Sequence, residues 1–408
     1  MIRAAFLSLP AQGHVNPTLP LVAELVRRGH AVRYFGTEEF RAPIDASGAV
    51  FEPYPNLGYD LSRPDRNILE LAAALAEVTV AILPAVVDAV RATGAELVLH
   101  DSMAAWGRHA ARLLGLPAVC STSTFAIAPM MDRSLRGLAD VVATTLGGLG
   151  AARRLRCARE ALRARHGIDG LRFPDVLSNR GDLTLVYTSR RLQPQAERFD
   201  DSVCFVGPSL AAEPERDPLL AELDGACAGG APLIYVSLGT VFNDDPGFFR
   251  ACAEAFAGTE IQVLVSAGRK VRLEELGPIP PNVRVRPFVP QLAVLRRTSL
   301  FVTHAGMNSV NEGLSFGVPL LLFPQMTEQA FVARRVEALG AGRVLPRSAL
   351  SPRALRAAAL GLLHDGGARE RARWIGESLR EAGGPTRAAD LVEALARPAR
   401  MGGDAVRG

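Results

Sequence analysis

Lysine is almost missing from this 408-residue chain: Lys270 stands alone, and every other cationic side chain apart from histidine is an arginine. Val271 follows that lysine, so no phosphate loop ending in Gly-Lys-Ser/Thr is present, and no G-x-G-x-x-G opens a helix after a strand. The near match GLGAA at 148–152 has no strand before it. Phosphate-loop ATPases and dinucleotide-dependent dehydrogenases are therefore set aside. Cysteine is sparse: Cys120, Cys157, Cys204, Cys227 and Cys252 include no C-x-x-C pair, which suits a reducing, cytoplasmic setting better than a disulfide framework or a zinc site. Arginines and acids interleave to a net charge of +4 without a dense basic run, so nucleic acid is not an expected partner. No secretory signal is read at the start, because the apolar AAFLSLP runs straight into a structured motif. The most membrane-like stretch, 68–90, carries Glu70, Glu77, Asp88 and Pro84, so it is expected as a buried or cleft-lining helix, with no stable membrane insertion. The acid pairs Asp200–Asp201 and Asp244–Asp245 read as solvent-facing loop caps, with no metal site expected.

What is present is a pattern written twice. The length exceeds one comfortable core and calls for two domains. Strand candidates at 4–9, 30–36, 96–101, 116–122, 182–189 and 201–207 alternate with helical spacing at 17–30 and 102–115. Asn16 and Pro17 read as N-cap and first position of the first helix. A stretch rich in Pro, Gly and charge (GPSLAAEPERDP, 207–218) interrupts, and strands restart at 232–240, 261–268, 300–306 and 318–325. Near-continuous apolar strands separated by helices imply parallel sheets covered on both faces. The expected fold is α/β, two doubly wound parallel-sheet domains facing across a cleft. Its expected parts are an amino-terminal domain (1–206), a linker (207–231), a second domain (232–385) and a C-terminal helix and tail (386–408).

The strongest motif is FVPQ (288–291) followed by FVTHAGMNSVNEGLSFGVPLLLFPQMTEQ (301–329). His304 and Gly306 end a strand, and Asn308 and Ser309 start the next helix. Backbone N–H groups at a helix start, joined by those side-chain donors, suit a diphosphate. Glu312, one turn further, offers acceptors to vicinal hydroxyls such as a ribose presents; Glu328 and Gln329 offer the same to a hexose. Phe288 offers a flat face to a base. The bland readings stand beside these: Gly306 and Gly313 for turns and helix packing, Phe288 as core, His304 without a ligand.

The arrangement resembles the nucleotide-sugar signature of the bacterial macrolide and plant secondary-metabolite glycosyltransferases, which share the GT-B fold. The likeness runs from PAQGHVNP (10–17) to PQMTEQ (324–329). It implies that Phe288 or Val289 meets the base with Gln291 beside it, that Glu312 holds the ribose, and that His304, Asn308 and Ser309 hold the diphosphate. It also implies that Ser237 and Thr240 of VSLGT approach the phosphates and that Glu328 and Gln329 touch the donor sugar. Phe288 stands where Trp is usual, and Glu328 where Asp is usual.

His14 lies between the first strand and its helix, at the strand's carboxyl end, with Gly13 expected to supply a sharp turn. Asp101 ends a strand on the same rim. A histidine oriented by a carboxylate is what removing a proton from an alcohol or phenol requires, and the resemblance implies that dyad. The alternatives are a loop-packing His14 and an Asp101 that caps the following helix. The expected activity is inverting, metal-independent transfer from a UDP-sugar, or from a dTDP-deoxysugar in antibiotic glycosylation, with no further cofactor. The acceptor is expected to be a small hydrophobic polyketide, macrolide or phenol cradled by 55–90 and 123–160, including Ile68, Leu71, Leu75, Val78, Phe125, Ile127, Met130 and Met131, although the same residues at helical spacing equally suit ordinary core. A monomer or homodimer is expected. Other readings are a nucleotide-sugar epimerase or cell-wall sugar transferase on the same fold, and a non-catalytic ligand-binding accessory protein.

Overall fold

The computed structural model of the protein describes residues 1–55, 68–127, 146–173, 175–210, 217–239, 245–268 and 271–396. The chain divides into two compact units: one holds 1–189, 195–209 and the segment from Ala382 onward, the other 190–194 and 210–381.

Among the described residues, seven strands form the first unit's sheet: β1 (Arg3–Leu7), β2 (Ala31–Gly36), β3 (Val50–Pro53), β4 (Leu97–Asp101), β5 (Ala118–Thr122), β6 (Leu183–Val186) and β7 (Val203–Phe205). Their order is β3-β2-β1-β4-β5-β6-β7, and every pairing is parallel. β4 and β5 are buried at every residue, because helices cover both faces of such a sheet and leave no solvent side for polar alternation. The six described strands of the second unit are β8 (Leu233–Ser237), β9 (Gln262–Ser266), β10 (Val283–Arg286), β11 (Leu300–Thr303), β12 (Leu320–Leu322) and β13 (Gly342–Val344). They run β10-β9-β8-β11-β12-β13, again parallel throughout. In each sheet the order reverses beside the first strand, between β1 and β4 and between β8 and β11. Connections leave those strand pairs in opposite directions, which opens a crevice at their carboxyl ends.

The structure departs from the sequence expectations in several places. β3, β10 and β13 were not anticipated; all three are sheet edges of three or four residues. The segment expected as linker contains a helix, Pro218–Ala226, capped by the Asp217 carboxylate on the Leu219 N–H and seated on buried Leu219, Leu220 and Leu223. Asn16 is no N-cap: it lies inside a 3₁₀ turn, Asn16–Thr18, that leads into the helix Leu19–Arg27 without a side-chain cap. GLGAA falls within the helix Leu146–His166.

The helix Ile68–Ala92 is long and apolar enough to cross a membrane, yet 67% of its most apolar window is buried against the rest of the chain. Leu75 and Val78, expected at the acceptor site, belong to that core. Met130, Met131 and Asp244 lie outside the described residues. Asp200 accepts from the Ser202 N–H and hydroxyl, and Asp245 caps the helix Pro246–Phe256. The last helix, Gly384–Ala396, belongs to the first unit, where Ala388, Ala389 and Val392 pack with Leu21, Val22 and Leu25. Arg28 pairs there with Asp390 at 2.6 Å, and His30 with Glu393 at 2.9 Å.

Candidate active site

β1 and β4, the pair at the first reversal, deliver His14 and Asp101. Asp101 is the last residue of β4 and is fully buried. His14 follows β1 in a single helical turn, Gln12–Val15, not in the sharp glycine turn the sequence suggested. Gly13 has no left-handed φ, and a Cβ there would meet no atom within 4 Å. His14 Nδ1 lies 2.8 Å from Asp101 Oδ2. The other carboxylate oxygen accepts the Met103 N–H at 2.8 Å. Asp101 therefore closes a turn while it orients the imidazole. It does not cap the following helix, whose N-cap is Ala104.

A buried carboxylate is stabilised by such donors. With the Nδ1 proton directed at Asp101, Nε2 keeps its lone pair and is the atom able to accept a proton. Ser123, one residue past β5, places its hydroxyl 3.3 Å from the same Nδ1. The sequence reading missed it, although it directly follows a strand end at the rim. His100 and His109 are separate from this pair. Both are buried, burial pushes each down to about 4, and His109 lies in the helix Ala105–Leu114.

β8 and β11, the pair at the second reversal, deliver Ser237 and His304. Ser237 ends β8 and its hydroxyl oxygen accepts the Gly239 N–H at 3.3 Å. His304 follows β11. Its ring lies between two glycines: an added Cβ would come within 2.6 Å of it at Gly239 and 2.3 Å at Gly306. Gly306 thus makes room for the imidazole as well as starting the helix Met307–Ser315, which has no side-chain cap. Between them Ala305 takes φ of 65°, a left-handed conformation rare for a residue with a Cβ. Burial pushes His304 down to about 4, so the ring is neutral, and its Nδ1 is enclosed without a partner. His304 is accordingly a hydrogen-bonding group and not a fixed cation.

Asn308 and Ser309 occupy the first turn of that helix and Glu312 the second. Gln291, first residue of the helix Gln291–Leu295, accepts the Tyr235 hydroxyl at 2.8 Å and donates its amide N–H to the Glu312 carboxylate. Tyr235, which the sequence reading also missed, is held by stacking on Phe301 at 4.8 Å. Phe288 is 55% exposed, so it is no core residue. Val289 adjoins it in the loop after β10. Glu328 is exposed in the first turn of the helix Thr327–Ala338, and Gln329 is buried, its side-chain oxygen accepting the Gln325 N–H at 2.8 Å. Gly313 packs against Leu320 and Phe301. Thr240 lies outside the described residues. Among the described residues no group of three or more His, Cys, Asp or Glu side chains is placed to hold a metal ion.

Comparison with known proteins gives the family of the chain. The C-terminal domain model of erythromycin biosynthesis protein CIII-like proteins matches residues 255–395. The chain is 33% identical to the NDP-glycosyltransferase YjiC of Bacillus subtilis over 96% of each chain. It is 35% identical to the oleandomycin glycosyltransferase of Streptomyces antibioticus over 96% of this chain and 90% of the relative. The solved structure of CalG4, the calicheamicin glycosyltransferase, superposes with a TM-score of 0.80 at 32% identity, covering 98% of this chain and 99% of that one. The chain belongs to the bacterial macrolide and natural-product glycosyltransferases, and is a nucleotide-sugar-dependent enzyme with the GT-B fold.

Proposed function

We propose that the enzyme transfers a sugar from a UDP-sugar to a hydroxyl of a small hydrophobic acceptor, a polyketide, macrolide or phenol, with inversion and without a metal ion. The observation that carries the reading is the 2.8 Å contact between His14 Nδ1 and Asp101. It fixes the tautomer in which Nε2 takes the acceptor's proton while Asp101 stabilises the imidazolium that results. The oxygen so activated attacks the anomeric carbon directly, which inverts its configuration. The departing diphosphate meets the uncapped start of the helix Met307–Ser315 and the N–H of His304, donors suited to its charge. Glu312, steadied by Gln291, takes the ribose hydroxyls. A ribose offers the carboxylate two vicinal hydroxyls and a deoxyribose one, which favours UDP over dTDP. Glu328 and Gln329 contact the donor sugar, and Phe288 stacks on the base.

The test is a screen of UDP- and dTDP-sugars against an aglycone panel, read by mass spectrometry, with the product anomer determined by NMR. The reading expects an inverted product, turnover unaffected by EDTA, and a loss of activity in His14→Ala toward an alcohol acceptor. Retention of the donor's α-configuration, or full activity of His14→Ala, refutes the mechanism. Preference for dTDP-deoxysugars refutes the donor assignment alone.

A further inference from the structure

The five residues Arg190–Pro194 belong to the second unit, although the chain on either side of them belongs to the first. They are held there by a set of specific contacts. Leu192 is fully buried and Gln193 nearly so. Arg335 donates from Nε to the Leu192 carbonyl at 2.9 Å, and from Nη2 to the carbonyls of Arg191 at 3.0 Å and Gln193 at 3.4 Å. Arg191 stacks on Trp374 at 4.1 Å and donates to its carbonyl. The chain re-enters the first unit at Gln195 in a left-handed conformation, φ 53°. On the other side the Thr188 carbonyl accepts the Gly207 N–H at 2.9 Å. The segment is therefore a strap held on the second unit, with its upstream flank tied to Gly207.

Arg335 lies on the helix Thr327–Ala338, two turns beyond Glu328 and Gln329. Upstream of the strap, the Tyr187 hydroxyl accepts from Ser121 at 3.0 Å, and Ser121 is the register partner of Asp101. One guanidinium spanning three successive carbonyls fixes the strap's backbone to the helix as a single body, a grip that a lysine ammonium cannot reproduce.

We propose that Arg335 is a positioning residue that ties the donor-sugar helix to the strap 190–194, so that occupancy of Glu328 and Gln329 is felt at the end of β6, which pairs with β5 and so lies one strand removed from β4 and Asp101. This rests on the donor-site reading above. Coupling of this kind requires that an element respond to a ligand it does not touch.

Hydrogen exchange on the full-length enzyme tests it, with UDP-glucose and dTDP-glucose as probes. In the wild type, and in the neighbouring control Arg334→Ala, saturating nucleotide-sugar slows exchange by about threefold or more in both 327–338 and 187–195. In Arg335→Ala and Arg335→Lys the response persists at 327–338 and is lost at 187–195. In the same variants kcat falls by about tenfold while donor KM stays within about twofold. Melting curves confirm folding, and Arg335→Lys decides the matter if the alanine variant does not fold. A response at 187–195 that survives in the Arg335 variants overturns the proposal, as does its absence from the wild type. Failure of both nucleotide-sugars to protect 327–338 in the wild type overturns the donor-site reading and the tether with it.

Discussion

Replacing Asp101 by asparagine alters almost no volume and reverses the logic of the dyad. The carboxylate accepts at both oxygens, from the Met103 N–H and from His14 Nδ1, each at 2.8 Å. An asparagine has one acceptor and one donor group. If its oxygen stays on Met103, its amide N–H faces Nδ1, which must then accept, and the imidazole proton moves to Nε2. The base is then protonated where it must be bare, and a general base contributes about 10²–10⁴-fold to rate. If the oxygen turns to His14 instead, the amide N–H groups face the Met103 N–H in a fully buried place. That opposition costs about 1–3 kcal/mol, so the first arrangement is favoured. Asp101→Asn is therefore expected to lose about 10²–10⁴-fold in kcat/KM toward an alcohol acceptor, with donor KM little changed and the fold intact by circular dichroism. A phenol acceptor, more acidic by itself, loses less. A folded variant that keeps alcohol kcat/KM within about tenfold of wild type across pH 6–9 would refute the reasoning.

Acid should unfold the first unit early. His100 and His109 are buried, and burial pushes both down to about 4, so the unfolded chain takes up their protons first and stability falls as pH drops from about 6.5 toward 4; at about 3 kcal/mol each, urea midpoints at pH 7.5, 6 and 5 should decline steeply, and an unchanged midpoint at pH 5 contradicts the idea. Gly306→Ala drives a Cβ to within 2.3 Å of the His304 ring, an overpacking of about 1–3 kcal/mol expected to weaken nucleotide-sugar binding by about tenfold or more in calorimetry, whereas Gly13→Ala, with no neighbour within 4 Å, should melt like wild type. Gln291→Ala removes the amide that steadies Glu312 and should raise donor KM about tenfold with kcat nearly unchanged; a fall in kcat alone would place Gln291 elsewhere.

Much of this was legible in the residues because parallel sheets have a strong local signature. Strands such as LVLHD and AVCST are buried on both faces and open on apolar residues, and loop chemistry concentrates at their carboxyl ends, so His14, Asp101, Ser237 and His304 stand out before any coordinates. The three overlooked strands are edges, where one side has no partner and a run such as Val283–Arg286 alternates its burial like any half-exposed segment. The helix at Pro218 was hidden in a Pro-rich and charged stretch whose capping aspartate resembles linker chemistry. Ser123 and Tyr235 were missed because each acts through a partner distant in sequence, His14 and Gln291 respectively.

By itself, the sequence determined the α/β class, the repetition of the strand–helix pattern, the helix-start motif at His304–Ser309 and the candidate base, all properties of spacing within a few turns of chain. Tertiary structure alone decided that Asp101 and Ser123 meet one nitrogen of His14. It also assigned the last helix to the first unit and 190–194 to the second, and enclosed His304 between two glycines so that it stays neutral. Those outcomes depend on which surfaces lose water to one another, and desolvation is set by neighbours in space, not by neighbours in chain.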